Sequence, residues 1–399
     1  MFLKRHIHKY LNGYLKKYPI ITITGPRQSG KTTLAKKTCE NYKYVSLEDP
    51  DNLEYATEDP RGFLDANSEN VIFDEVQQAP KLFSYLQGEV DKNPKPGRFI
   101  LTGSQQFLLN QKISQTLAGR TARLTLLPLS LSELCQHDHQ KLWLTGSLTQ
   151  PPPPPESLYF YLLSGLYPRL YEYNLKPQQF FRDYINTYVT RDLQQLLHVG
   201  DLRLFQNFLR MLAGRCGQRV NLTSLGNDLG VTHTTIKRWL SVLEASYIIT
   251  LLEPYHNNFN KRLIKSPKIY FLDTGLLCYL LRIKKTEDLR FHSQIGGIFE
   301  TFVISEMMKS FYHHDQEPPL YFWQERTGEE IDIMVDQGQS LLLPIEVKSS
   351  QTISQKLFEN LHYWLNIKDN PQDKGYLIYG GKEWQKRKNI QVIPWYGLS

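Results

Sequence analysis

Residues Gly25-Pro26-Arg27-Gln28-Ser29-Gly30-Lys31-Thr32-Thr33 contain the pattern G-x-x-x-x-G-K-S/T, and few short patterns constrain a fold so tightly. The pattern works only where a buried strand ends in a tight loop that opens a helix, because the loop's backbone N–H groups must turn inward around a phosphate chain. Both flanks agree. Pro19–Thr24 (PIITIT) is apolar and β-branched and predicts a buried strand, while Thr33–Cys39 (TLAKKTC) predicts the start of a helix. The residue types then assign the chemistry: glycines free the backbone to approach the phosphates, Lys31 reaches the β- and γ-phosphates, and the Thr32 hydroxyl ligates Mg²⁺. Gly25 to Thr33 are therefore expected to hold ATP with Mg²⁺.

A strand over Lys43–Leu47 follows, ending in Glu48 and Asp49. Some 45 residues after the loop, Asn70–Gln78 (NVIFDEVQQ) forms a second buried strand that ends in two acids. Asp74 is expected to hold Mg²⁺ through water, and Glu75 to polarise the attacking water. The strand Arg98–Ser104 (RFILTGS) ends in small polar residues, so Thr102 and Ser104 are candidates to contact the γ-phosphate or that water. Hydrolysis of this kind is accelerated by an arginine presented from a neighbouring subunit. Arg120, beside Gly119 in Leu117–Arg123 (LAGRTAR), is the candidate in preference to Arg123; the alternative is a structural or surface arginine. A homo-oligomer is the partner that role implies.

The chain continues well beyond one such domain, since 399 residues hold two or three cores. Five consecutive prolines, Pro151–Pro155, force an extended segment. They mark a spacer over 140–156 that separates a first domain, 1–139, from a helical domain, 157–280. A proline-rich recognition peptide is the alternative reading of that run. Residues 1–18 are expected to form an amphipathic helix packing Leu3, Ile7, Tyr10, Leu11, Tyr14 and Leu15 on the first domain.

In the middle domain, helices are expected at Leu204–Gly214, Leu222–Leu229 and Thr232–Tyr247, then strands at Ile248–Glu253 and Lys268–Leu272. Helix, turn, helix and hairpin make a winged helix. The net charge of +7 lies here, with 14 Lys and Arg against 7 Asp and Glu between Ser157 and Tyr270, which points to a polyanion such as DNA. His233, Thr234, Thr235, Lys237 and Arg238 would face a groove, and Lys261, Arg262 and Lys265 would form the wing. Winged helices also serve as protein-interaction modules, and that alternative stays open.

The last domain, 281–399, carries a second constellation. Glu300 sits in an apolar helix, Asp332 in the strand Ile331–Val335, and Glu346-x-Lys348 at the end of Leu341–Ser350, followed by a helix over Thr352–Trp364 and a strand over Gly375–Tyr379. Acid, acid and Glu-x-Lys in this order are how a PD-D/E-x-K nuclease core is written. Asp332 and Glu346, supported by Glu300, would hold a second Mg²⁺, and Lys348 would position water. The alternative is a nuclease-like fold kept for structure, its charges paired with Lys348 or Arg326.

Composition excludes other classes. No stretch approaches 18 apolar residues, so no membrane partner is expected. The opening MFLKRHIHKYLNGYLKKY is too interrupted by charge for a secretory signal, so a cytoplasmic protein is expected. Four scattered cysteines, with no C-x-x-C pair, suggest neither a zinc site nor a disulfide framework.

Taken in order, GPRQSGKTT, YVSLEDPD, VIFDEVQ, FILTGSQQF, LAGRTARLTLLPLS, YINTYVTRDL, YFLDTGLL, GGIFETFV and EEIDIMV…IEVKSS resemble a large prokaryotic group of AAA-type ATPases. The resemblance covers nearly the whole chain; the five-proline run departs from it and reads as an insertion. It implies an α/β P-loop domain, a winged helix and a mixed α/β restriction-endonuclease-like domain. It also implies the nucleotide roles given above for Lys31, Thr32, Asp74 and Glu75. The function expected is ATP hydrolysis coupled to DNA binding or processing, and the alternative is a nucleotide-dependent switch with an inert nuclease-like domain.

Overall fold

A computed structural model describes residues 3–104, 116–137, 150–189, 202–255, 266–325, 327–338, 341–367 and 370–398. The chain divides into two compact units. The first is Met1–Leu129 with Ala245–Tyr247 and Phe311–Gln316, and the second is the remainder.

The first unit is built on five parallel strands: β1 (Ile20–Thr24), β2 (Lys43–Ser46), β3 (Val71–Asp74), β4 (Phe99–Gly103) and β5 (Thr121–Thr125), in the order β2-β3-β4-β1-β5. β4 thus lies between the strand that feeds the glycine loop and the strand that ends in Asp74, as expected of the P-loop fold. Parallel strands buried on both faces carry apolar residues throughout, and alternate residues feed opposite sides. Ile20, Val71, Phe73, Phe99 and Leu101 enter one core, and Ile21, Ile23, Ile72, Ile100 and Leu124 enter the other.

Helix α1 (His8–Tyr14) is shorter than the expected 1–18. Ile7 and Leu11 are buried, with Tyr10, Tyr14 and Leu15 packed against the same core. Ahead of α1 lies a buried arginine, Arg5. α2 (Lys31–Thr38) follows the loop, with α3 (Pro50–Glu58), α4 (Pro60–Asp65) and α5 (Leu82–Lys92) between the strands. The chain leaves β2 through Asp49, whose side chain accepts from the backbone N–H groups of Asp51 and Asn52 and so caps α3.

The second unit opens with α6 (Leu131–Leu134), and among the described residues the proline run belongs to no helix or strand. Helices α7 (Leu158–Ser164), α8 (Pro168–Glu172) and α9 (Pro177–Tyr184) come next, then α10 (Leu202–Gly214), α11 (Leu222–Leu229) and α12 (His233–Ala245), then the antiparallel pair β6 (Ile249–Leu252) and β7 (Lys268–Phe271). On α12, Ile236, Trp239, Leu240 and Leu243 are buried, while His233, Thr234, Lys237 and Arg238 are exposed. Lys261, Arg262 and Lys265 lie outside the described residues. α13 (Thr274–Leu280) and α14 (Thr286–Arg290) lead to α15 (Ile295–Tyr312), the long apolar helix.

A six-stranded mixed sheet ends the chain: β8 (Leu320–Gln324), β9 (Glu330–Asp336), β10 (Leu342–Lys348), β11 (Gly375–Tyr379), β12 (Gln385–Arg387) and β13 (Ile390–Pro394), in the order β12-β13-β11-β10-β9-β8. The hairpin β12–β13 was not expected from sequence, because its first strand is three polar, largely exposed residues with no alternation to read. The expected helix over 352–364 is a 3₁₀ turn (Gln355–Phe358) followed by α16 (Glu359–Leu365). Among the described residues no helix is long and apolar enough to cross a membrane.

Candidate nucleotide site and a second carboxylate cluster

The loop between β1 and α2 has the backbone that the sequence demands. Gly25 has φ +147°, and a Cβ there would lie 2.0 Å from the Leu126 carbonyl oxygen. Gly30 has φ +95°, where a side chain is strained. Gln28 also adopts positive φ, 64°. Pro26 and Ser29 are buried, Thr33 is exposed, and Arg27 pairs with Glu48 at 2.8 Å.

Lys31 folds back over the loop, its Nζ donating to the carbonyls of Gly25 (3.0 Å) and Pro26 (2.8 Å). Burial pushes the ammonium's pKa down, against the upward pull of Glu75 and Asp74. A buried cation held by neutral carbonyls favours an anionic ligand. The Ser29 hydroxyl is buried with no partner among the described residues. A glycine cradle, a buried ammonium and an unused hydroxyl fit a nucleotide polyphosphate.

Asp74 and Glu75 end β3, and β4 brings Thr102 and Ser104 beside them. The Thr32 hydroxyl is 3.0 Å from each Asp74 oxygen, and the Thr102 hydroxyl donates to Oδ1. Glu75 sits at φ 53°, a left-handed conformation that costs energy outside glycine and recurs at functional sites. Its Oε2 accepts from the Ser104 hydroxyl at 2.9 Å, the Ser104 N–H at 3.3 Å and the Gln77 amide. The structure therefore gathers Lys31, Thr32, Asp74, Glu75, Thr102 and Ser104 at one end of the sheet. In register, Thr102 pairs with Ile23 and Ser46 with Asp74, so every strand delivers its carboxyl end to the loop.

Arg120 is not among them. β5 runs parallel to β1 with Thr121 opposite Ile20, so Arg120 lies at the far end of the sheet, about 15 Å of strand from the loop. It grips both oxygens of Asp91 and the Ala118 carbonyl. Arg120 therefore does not serve its own chain's site; the role expected of it was towards a neighbouring subunit's γ-phosphate, and in this chain it is paired with Asp91.

Three contributors were not anticipated. Arg5 donates to the Ser29 carbonyl (2.8 Å) and the Leu127 carbonyl (2.6 Å), bracing the loop from outside the motif. The Tyr247 hydroxyl is 3.2 Å from that of Thr24 at the loop's entry. Tyr44, on β2, donates to Asp74 Oδ2 at 2.8 Å. No local pattern marks any of the three; each acts across the fold.

The C-terminal acids form a separate cluster. Lys348 Nζ lies 2.6 Å from Glu346 Oε1 and 3.3 Å from Asp332 Oδ2. The Val347 N–H also donates to Asp332, and Asn360 to Glu346. Glu300 is held instead by the Tyr270 hydroxyl and by Lys268, 3.5 Å away, which also pairs with Glu330. Burial and the nearby Asp332 charge push Glu300 up to about 7 and Glu346 up to about 8. Burial opposes the Lys348 charge, but Asp332 and Glu346 outweigh it and raise that pKa.

Among the described residues no three His, Cys, Asp or Glu side chains are arranged to hold a metal ion. Of the expected trio, Asp332 and Glu346 share Lys348, while Glu300 pairs with Lys268. Arg326 lies outside the described residues.

Residues 17–135 match a family model described as an AAA domain. Residues 155–287 and 295–398 match two domains of unknown function, DUF8612 and DUF4143. An uncharacterized protein of Mycobacterium tuberculosis is 31% identical over 347 residues, 86% of this chain and 74% of that one. The chain belongs to the same family as that protein, and it carries an AAA domain. An uncharacterized protein of Haemophilus influenzae is 23% identical over 94% of this chain and 92% of its own.

Among solved structures, the Walker-type ATPase of Pyrococcus abyssi is 14% identical, with a TM-score of 0.45 over 70% of this chain and 96% of its own. AMPPCP-bound DnaA from Aquifex aeolicus is 14% identical, with a TM-score of 0.28 over 60% of this chain and 85% of its own. Both likenesses are distant and carry nothing further. For an AAA-domain ATPase, ATP is the implied ligand and Mg²⁺ its usual companion, and the loop residues fit both.

Proposed function

We propose that this AAA-domain protein hydrolyses ATP and couples turnover to DNA binding or processing. The observation that carries the first half is the meeting of Asp74 and Glu75 with Thr32, Thr102 and Ser104 beside a buried Lys31. Lys31 and the loop N–H groups would bind the phosphates. Thr32 and Asp74 would hold Mg²⁺, which neutralises phosphate charge when bound. Glu75 would take up the attacking water's proton while Ser104 keeps the carboxylate in place. Thr102 would fix Asp74.

The second half rests on residues 157–280, proposed as a winged-helix domain after a first domain over 1–139 and a linker over 140–156. Its support is α12, which buries its apolar face and leaves Lys237 and Arg238 exposed together. Residues 281–399 are proposed as a nuclease-like α/β domain that does not cleave. Lys348 sits on both Asp332 and Glu346, so the acids need no cation to coexist. The competing reading, a slow nucleotide switch that controls a partner, is favoured by the same closed cluster.

The deciding measurement is ATP turnover with and without duplex, single-stranded and branched DNA. Turnover stimulated severalfold by one DNA form supports coupling. Slow turnover indifferent to all three supports the switch.

A further inference from the structure

We propose that Tyr44 is a positioning residue for the Mg²⁺-side acid, fixing the plane of Asp74 for the cation's hydration shell; this rests on the ATPase reading above. An aspartate's terminal torsion is broad and nearly two-fold, so the donors around the carboxylate decide its orientation. At Asp74 the donors come from three elements. Thr102 on β4 holds Oδ1, Thr32 on α2 lies 3.0 Å from both oxygens, and Tyr44 on β2 holds Oδ2 at 2.8 Å.

Thr102 and Tyr44 stand on strands either side of β3, so between them they pin the two ends of the carboxylate. Strand geometry explains why the residue is Tyr44. Ser46 lies directly opposite Asp74 in register, and Tyr44, two residues earlier, shares Ser46's face. The long phenol spans the two-residue offset. A phenol keeps its proton at neutral pH, so Tyr44 is a donor there. The Lys36 ammonium stands 3.2 Å from the ring centroid and steadies the ring from α2.

With Mg²⁺ bound, the Thr32 oxygen would serve as its ligand, while the Thr32 proton would stay available to Asp74. Tyr44 and Thr102, which would not ligate the cation, would then hold the carboxylate from its two ends, Thr102 also lying 3.4 Å from the Phe73 carbonyl oxygen. Removing the Tyr44 hydroxyl leaves Oδ2 with Thr32 alone, which loosens the carboxylate and weakens cation binding but leaves the phosphate cradle of Gly25–Lys31 untouched.

The test is Tyr44→Phe, which keeps the ring and its contact with Lys36. Two quantities are measured beside wild type: ATP affinity in EDTA, and the Mg²⁺ concentration giving half-maximal ATP turnover. The expected result is ATP affinity unchanged within about twofold and a Mg²⁺ half-saturation raised about three- to tenfold, the scale of one ordinary net hydrogen bond. A melting temperature within about 2 °C of wild type accompanies it, since the ring stays in place. An unchanged Mg²⁺ half-saturation overturns the inference, as does an equal loss of affinity in EDTA, which marks a merely structural role. If wild type itself shows no Mg²⁺-dependent turnover, the proposed function falls and Tyr44 with it, a result distinct from either of the others.

Discussion

Lys31 shows what the site asks of a single residue. Its ammonium is buried on two carbonyl oxygens, and burial alone works against its charge. A lysine kept there at such a cost is stabilised by what it binds. In Lys31→Ala, the melting temperature without nucleotide should therefore stay within about 2 °C of wild type or rise, because a desolvated charge is removed. The upward shift that saturating ATP gives wild type should vanish, together with hydrolysis. Glu75→Gln keeps the phosphate cradle, so it should still bind ATP within about threefold while turnover falls about 10²-fold or more. Wild-type turnover in Glu75→Gln would show that another group activates the water. Thermal shift and steady-state phosphate release check both variants.

At the scale of elements, one cap and one strand pair carry most of the testable weight. Asp273 is buried at the N-terminus of α13 and accepts from the N–H groups of Leu276 (3.0 Å) and Leu166 (2.8 Å). Asp273→Ala orphans both donors in the interior, so it should cost about 2–4 kcal/mol, read by urea unfolding. The β9–β10 pair holds Asp332 and Glu346. A Glu346 pKa raised to about 8 means that the folded protein binds a proton the unfolded chain has released above the ordinary glutamate range. Stability should then fall as pH rises from about 5 towards 8. Glu346→Gln removes that slope. Its melting temperature relative to wild type should climb by several degrees between pH 5 and pH 8.5, and a flat difference would show that Lys348 keeps Glu346 ionised throughout.

On the scale of the whole molecule, the charge of +7 is unevenly spread, with its excess between Ser157 and Tyr270. If α12 meets a DNA backbone, replacing Lys237 and Arg238 together with Gln should weaken DNA binding at physiological salt by about tenfold or more. The slope of log affinity against log salt should drop by about one unit for each phosphate no longer neutralised. Unchanged affinity and slope would assign α12 to a protein partner. Both side chains are exposed, so the fold should not register the change.

What the sequence determined by itself was whatever local pattern can encode. The glycine loop, the strands β1, β3 and β4 and the acids at their ends follow from short-range rules, in which a run of β-branched residues must be buried and a G-K-T turn must open a helix. The helices α10 to α12 follow in the same way from their apolar periodicity. Tertiary structure decided the rest. Arg5, Tyr44 and Tyr247 reach the loop or Asp74 over separations of 24 to 223 residues, and nothing in the neighbouring sequence of any of them says so. Strand direction alone took Arg120 away from the nucleotide end. The acids of the last domain were readable as residues, but their fate depended on Lys268 and Lys348, because like charges in a protein interior are settled by whichever cation the packing brings within reach.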